Sequence, residues 1–308
     1  MTKLFTRVGW LLCLLLLARL AQAQTPQSTP PEPKTQGQTE VLKVYTELVQ
    51  TDVMVFDKQG RFVNGLKSSD FELYDDGQKR PLSNVWSEPS PASVAILMDA
   101  SGSMSTKMAR ARETATALVA GLKPGTDEIA MYSFDTALQE VRPFSSAFSA
   151  TDTVWNSTKA FGATSLWDAI AETSQKISDR QRRRALVVIT DGVDSASTLK
   201  PSDVSAIASS LDVPVYVLVI TFALDDTEVR EAPITGPMAD LAAWTGGDAL
   251  AVRDPLSMLE ATERLLGELH HQYMIAFEPG TTRGWHALVL RARKPGLFVR
   301  ARSGYMVQ

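Results

Sequence analysis

Three apolar runs limit what this chain can fold into: SVAILM at 93–98, ALVVIT at 185–190 and VPVYVLVI at 213–220. A strand that alternates apolar and polar residues buries one face, whereas a strand apolar almost throughout needs cover on both. Segments of helical spacing lie between these runs. In 104–122, Met108, Ala111, Ala115, Leu118 and Val119 share one face. Further helices are expected at 165–177, 202–211 (Ser202 as N-cap), 237–244 and 257–269. Additional strands are expected at 128–134, 138–144 (an edge) and 248–252. Strands alternating with helices predict an α/β fold of Rossmann type, a mostly parallel sheet with helices on both faces.

The flanks follow a different grammar. Residues 41–90 alternate in strand fashion, and Asp75-Asp76-Gly77 carries the Asp-Gly signal of a tight hairpin. Residues 271–308 return to strand character, divided by Pro279-Gly280 and Pro295-Gly296. Each flank offers about three strands, few for an independent core. The expectation is one small β-sandwich built from 41–90 and 271–308, with the α/β domain, 91–270, inserted between them.

The first 23 residues read as a signal peptide. Lys3 and Arg7 precede an apolar stretch, Val8 to Leu17, shorter than a membrane span, and Ala21-Gln22-Ala23 has the small-x-small form of a cleavage site. Residues 24–40, rich in Pro, Gln and Thr, read as a flexible linker. Export, to the periplasm or to the extracellular side, is therefore expected. Cys13, the only cysteine, falls in the leader, so the mature chain relies on its core rather than on disulfides. Loss of Lys3, Arg7 and Arg19, with no acid, takes the formal charge from −4 to −7. That balance argues against nucleic acid as a partner. No later stretch approaches membrane-span length. The basic run Arg182-Arg183-Arg184 reads as a solvated turn.

Chemistry gathers at the ends of the buried strands. Asp99 follows the first apolar run, and Ser101 and Ser103 lie in the loop after it. Asp191 follows the second, in Ile189-Thr190-Asp191-Gly192, and Thr164 opens a helix in Gly162-Ala163-Thr164. If the two strands are neighbours, two carboxylates and three hydroxyls meet at one sheet edge. An all-oxygen set suits a hard cation such as Mg²⁺ (or Mn²⁺ or Ca²⁺), and zinc prefers sulfur and nitrogen. Asp194 lies three residues beyond Asp191 and reads as a rim residue.

Asp99-Ala100-Ser101-Gly102-Ser103, with Thr164 and Asp191, resembles the metal-ion-dependent adhesion site of von Willebrand factor type A domains over about 92–270. The resemblance implies that the two serines and the threonine touch the metal, and that the aspartates bind it directly or through water. It also implies metal-dependent protein–protein interaction or adhesion, with a partner's Asp or Glu completing the coordination. Arg61-Phe62-Val63-Asn64-Gly65-Leu66 and Asp70 to Gly77, together with the ending from Tyr273-Met274-Ile275 through Pro295 to Tyr305, resemble exported "VWFA-related" bacterial proteins common in acidobacteria.

Catalysis finds little support. No nucleophile elbow, H-E-x-x-H or phosphate loop is present. His270 and His271 end an expected helix, and His286 reads as an exposed or edge residue. The expectation is an exported, non-enzymatic binding protein. The alternatives are a structural cell-envelope module whose metal only stabilises loops, and a metal-assisted hydrolase.

Overall fold

The structure, a computed structural model, describes residues 48–87, 90–149, 154–221 and 234–307. The expected signal peptide and linker, 1–23 and 24–40, lie outside these residues.

The first described strand is β1 (Val49–Phe56). It is followed by β2 (Phe71–Asp75), β3 (Gln78–Arg80) and β4 (Leu82–Trp86). The α/β unit then runs β5 (Ala92–Asp99), α1 (Met108–Gly121), β6 (Glu128–Phe134), β7 (Leu138–Ser145), α2 (Leu166–Ser178) and β8 (Arg183–Thr190). It continues with α3 (Pro201–Ser210), β9 (Val215–Ile220), α4 (Pro237–Thr245), β10 (Ala249–Val252) and α5 (Pro255–His270). Four strands close the chain: β11 (Tyr273–Phe277), β12 (Gly284–Ala292), β13 (Phe298–Ala301) and β14 (Gly304–Val307).

The central sheet has the order β10-β9-β8-β5-β6-β7, and all its pairings are parallel except that of β7 with β6. The apolar runs serve both faces, as their composition demands. Val94, Ile96 and Met98 of β5 pack with α1 and α5, while Ala95 and Leu97 pack with α2, α3 and α4. Burying each Val, Leu or Ile side chain contributes about 1.5–3 kcal/mol.

The flanks form two four-stranded antiparallel sheets, β13-β1-β11-β4 and β14-β12-β2-β3. Each sheet mixes strands from both ends of the described chain, so neither flank closes a sheet alone. Val53, Ile275 and Phe277 of one meet Leu73, Leu288 and Tyr305 of the other in a shared core. Tyr273 ties a loop to it, its hydroxyl donating to the Val63 carbonyl at 2.7 Å and accepting the Leu66 amide at 3.0 Å. The β2–β3 turn places Asp76 and Gly77 at φ 49° and 77°, the left-handed pair that an Asp-Gly hairpin requires.

Several local expectations are corrected. A 3-10 turn, Gly102–Met104, precedes α1, which begins at Met108 rather than Met104. Lys200 rather than Ser202 caps α3, because Pro201, with its φ preset and no amide hydrogen, takes the first helical position. Arg183 and Arg184 are not a solvated turn but the start of β8. The Arg183 side chain is 3% exposed, lies 3.9 Å from Asp52 and donates to the Gln272 carbonyl at 3.2 Å. This ionic seam joins the sandwich to the N-terminal end of the parallel sheet. It also includes Arg184 and Arg302 on Asp212, each at 3.1 Å, and Arg300 on Glu268 and Asp248. No helix among the described residues is long and apolar enough to cross a membrane.

Candidate metal centre

From β5 the chain lays β6 and β7 on one side, and later β8, β9 and β10 on the other. Strand order therefore reverses between β5 and β8, and loops there part to leave a crevice at the carboxyl ends. Asp99 ends β5 and Asp191 follows β8, so the neighbouring-strand condition of the sequence reading is met.

Asp99 is fully buried. Its Oδ1 accepts the Ser101 amide at 2.9 Å and its Oδ2 accepts the Thr190 hydroxyl at 2.6 Å. Burial raises its pKa; the Ser101 and Thr190 bonds oppose the shift, and the charge of Asp191 adds to it. Ser101 is buried in extended conformation ahead of the 3-10 turn, and Ser103 is exposed within it. Their hydroxyl oxygens lie 3.1 Å apart.

Backbone bonds bring the third loop to this pair. Gly102 donates to the Gly162 carbonyl at 2.9 Å and Phe161 to the Ala100 carbonyl at 2.8 Å. A Cβ on Gly102 would lie 3.1 Å from that Gly162 oxygen, which explains the hydrogen-only position between the serines. Thr164, 3% exposed, is held from the far side. Its carbonyl accepts the Ser195 and Ala196 amides at 3.0 and 2.9 Å, and its own amide donates to the Ser195 hydroxyl at 3.0 Å. Asp194 serves this clamp: its Oδ1 accepts the Leu166 amide at 2.9 Å and so satisfies an open donor at the start of α2.

The Asp191 side chain is 2% exposed. One oxygen accepts the Val193 amide at 3.1 Å; the other holds the Lys107 ammonium at 2.7 Å. Thr190 ties the Asp99 carboxylate to the loop after β8, donating to Asp99 and accepting the Gly192 amide at 3.0 Å. Lys107 and Thr190 had no role in the sequence reading. Thr190 sits inside the quoted Ile-Thr-Asp-Gly stretch, whereas Lys107 offers only a lysine just before a helix, a common surface pattern.

The donor set fits a hard divalent cation. It is all oxygen, its two carboxylates repel each other in a buried crevice, and its hydroxyls leave room for water ligands. Asp99, Ser101, Ser103, Thr164 and Asp191 would hold the ion, which would supply a strong positive centre to an incoming oxygen ligand. No histidine takes part. His270 faces Asp127 at 3.3 Å and His271 faces the Gly267 carbonyl at 2.9 Å. His286 lies in the sandwich, 3% exposed. That corrects its reading as an exposed or edge residue, because β12–β14 pairing sets it opposite Tyr305, with the two rings stacked.

Residues 93–237 match the family model for the von Willebrand factor type A domain. Among solved structures, the conserved hypothetical protein BatB from Bacteroides thetaiotaomicron is similar at 18% identity and TM-score 0.46, over 57% of this chain and 98% of that one. The von Willebrand factor type A protein from Catenulispora acidiphila is similar at 14% identity and TM-score 0.47, over 85% of this chain and 74% of that one. The PilB minor pilin from Streptococcus sanguinis is similar at 14% identity and TM-score 0.43, over 59% of this chain and 61% of that one. A search of curated proteins finds no match. Residues 93–237 thus form a von Willebrand factor type A domain.

Proposed function

We propose that this chain is an exported, non-enzymatic binding protein. Its Asp99, Ser101, Ser103, Thr164 and Asp191 hold Mg²⁺, or Mn²⁺ or Ca²⁺, and an acidic side chain of a partner protein completes the coordination. The observation that supports this reading is that β5 and β8 are neighbours, so that Asp99 and Asp191 follow adjacent strand ends, with the Asp191 charge acting on the buried Asp99 carboxylate. A cation there offsets their repulsion and keeps a position for an outside carboxylate.

The same geometry weighs against a purely structural metal. The Gly102–Gly162, Phe161–Ala100 and Thr164–Ser195 bonds already stitch the three loops without an ion. It weighs against hydrolysis as well, since a nucleophilic serine needs an adjacent base and the histidines lie elsewhere.

Calorimetric titration with Mg²⁺ and Mn²⁺, beside thermal melts in EDTA, tests the proposal. Wild type is expected to melt higher as metal rises, by about 2.7 kcal/mol at a hundredfold excess over Kd. Asp99→Asn is expected to fold and to lose the response. A folded Asp99→Asn protein that binds Mg²⁺ as wild type does would sink the assignment. Hydrolysis of simple esters or phosphate esters that depends on Mn²⁺ and on Asp99 would instead make the chain an enzyme.

A further inference from the structure

A second cluster lies in the sandwich, remote in sequence from the sheet-edge site. Asp75 ends β2, Asp76 opens the hairpin turn and His286 lies in β12. One ligand atom from each lies within 4.8 Å of the others.

The remaining atoms of these side chains are occupied in a way that fixes what the cluster can hold. His286 Nε2 lies 2.6 Å from the Thr282 carbonyl, which can only accept, so Nε2 carries its hydrogen. Asp75 Oδ2 accepts the Gly280 amide at 3.1 Å and faces Arg80 at 3.3 Å. Asp76 Oδ1 accepts the Ala287 amide at 2.8 Å. What remains is His286 Nδ1, 3.1 Å from Asp75 Oδ1 and 3.0 Å from Asp76 Oδ2. A bare Nδ1 lone pair would face two carboxylate oxygens, so a positive charge belongs among the three atoms. The ring is held there by stacking on Tyr305, centroids 5.2 Å apart. Glycine at 280 keeps the approach open, since a Cβ would sit 2.9 Å from His286 Cε1 and 3.1 Å from Asp75 Oδ2.

We propose that Asp75, Asp76 and His286 form a second divalent-metal site, of the Zn²⁺ class. One nitrogen and two carboxylate oxygens suit a borderline ion, and hard Mg²⁺ favours oxygen alone. Bonds of about 2.0–2.2 Å to such an ion set neighbouring ligand atoms about 3.0–3.5 Å apart, close to the separations found. A histidine that gives its other N–H to a backbone carbonyl is the usual way a protein fixes the ligating nitrogen. The Asp76 side chain, 53% exposed, leaves an entry path and a position for water, while Asp75 and His286 are 1% and 4% exposed. Without metal, a proton on Nδ1 takes the same place, and the metal displaces it. The bound ion would pin the β2–β3 hairpin to β12 and to the segment around Thr282.

The test uses the chain from residue 24 onward carrying Asp99→Asn, so that the sheet-edge site does not contribute and failure of one reading leaves the other standing. Zn²⁺ titration after EDTA and dialysis is expected to show one ion per chain, a rise in melting temperature, and release of about one proton at pH 6.5. Adding Asp76→Asn keeps the acceptor for the Ala287 amide and is expected to weaken Zn²⁺ at least tenfold. Absence of Zn²⁺ binding, or binding that Asp76→Asn leaves unchanged, overturns the proposal. The cluster is then a histidinium clasp held by its proton alone.

Discussion

Lys107 is the residue that most alters how the sheet-edge site is expected to work. Its ammonium, 21% exposed, holds an Asp191 oxygen at 2.7 Å, where a cation's ligand is wanted. If Asp191 takes up a divalent ion as proposed, the ion would compete with this pair, and the lysine would set a threshold on metal affinity. Lys107→Met is expected to bind Mg²⁺ about tenfold more tightly, about 1.4 kcal/mol, by calorimetric titration. Equal or weaker binding would mean that ammonium and ion share Asp191. Residue types at the candidate site could be picked out of the sequence because strand-end carboxylates and loop hydroxyls have few structural uses in combination. The partners of those residues were not. Lys107 and Asp191 are 84 positions apart, and Asp75 and His286 are 211 apart. A lone histidine beside Trp285 looks peripheral until β12 is paired with β2 and β14.

Among the elements, β1 carries a charge where its neighbours are apolar. Asp52 is pushed up to about 6, first by burial and then by Asp212, with Arg183 opposing. An acid whose folded value exceeds its unfolded value near 3.8 stabilises the fold below that unfolded value. The contribution is lost as pH rises through about 6. Asp52→Asn removes this dependence. The variant is expected to gain about 1–3 kcal/mol over wild type at pH 7.5 and little at pH 4.5, read by urea unfolding at both. An equal effect at the two pH values would deny the buried charge its cost. Whole elements were the readable part of this chain: β5, β8 and β9 had no alternative to two-sided cover once their runs were apolar. Boundaries were less so. The α1 start slipped to Met108 because a 3-10 turn, Gly102–Met104, comes between Ser101 and the helix, and a helical pattern does not register it.

At the scale of the whole molecule, the seam between sandwich and sheet rests on charge pairs as much as on apolar contact. Glu268 on α5 is 3% exposed and its pKa is raised by burial, with Arg300 of β13 opposing the shift. Arg300→Met would take from that carboxylate its close partner and leave Arg264, which lies nearer Asp248, as the cation beside both acids. The expected cost is about 3–5 kcal/mol, seen as a lower melting temperature for the single unfolding transition. An unchanged melt would show that Arg264, which also reaches both acids, suffices.

The α/β unit is entered at Ala92 and left after His270, beside the seam, while Asp99 ends the same strand that Ala92 begins. Seven steps of extended chain place Asp99 about 23 Å from Ala92. A partner seated at the crevice would therefore pull along the axis of β5, straight away from the sandwich. The ladders of β5 with β6 and β8 would resist that pull together, in shear, rather than opening one bond at a time. On the proposed function, that layout would suit a tether that holds best when tugged from its tip.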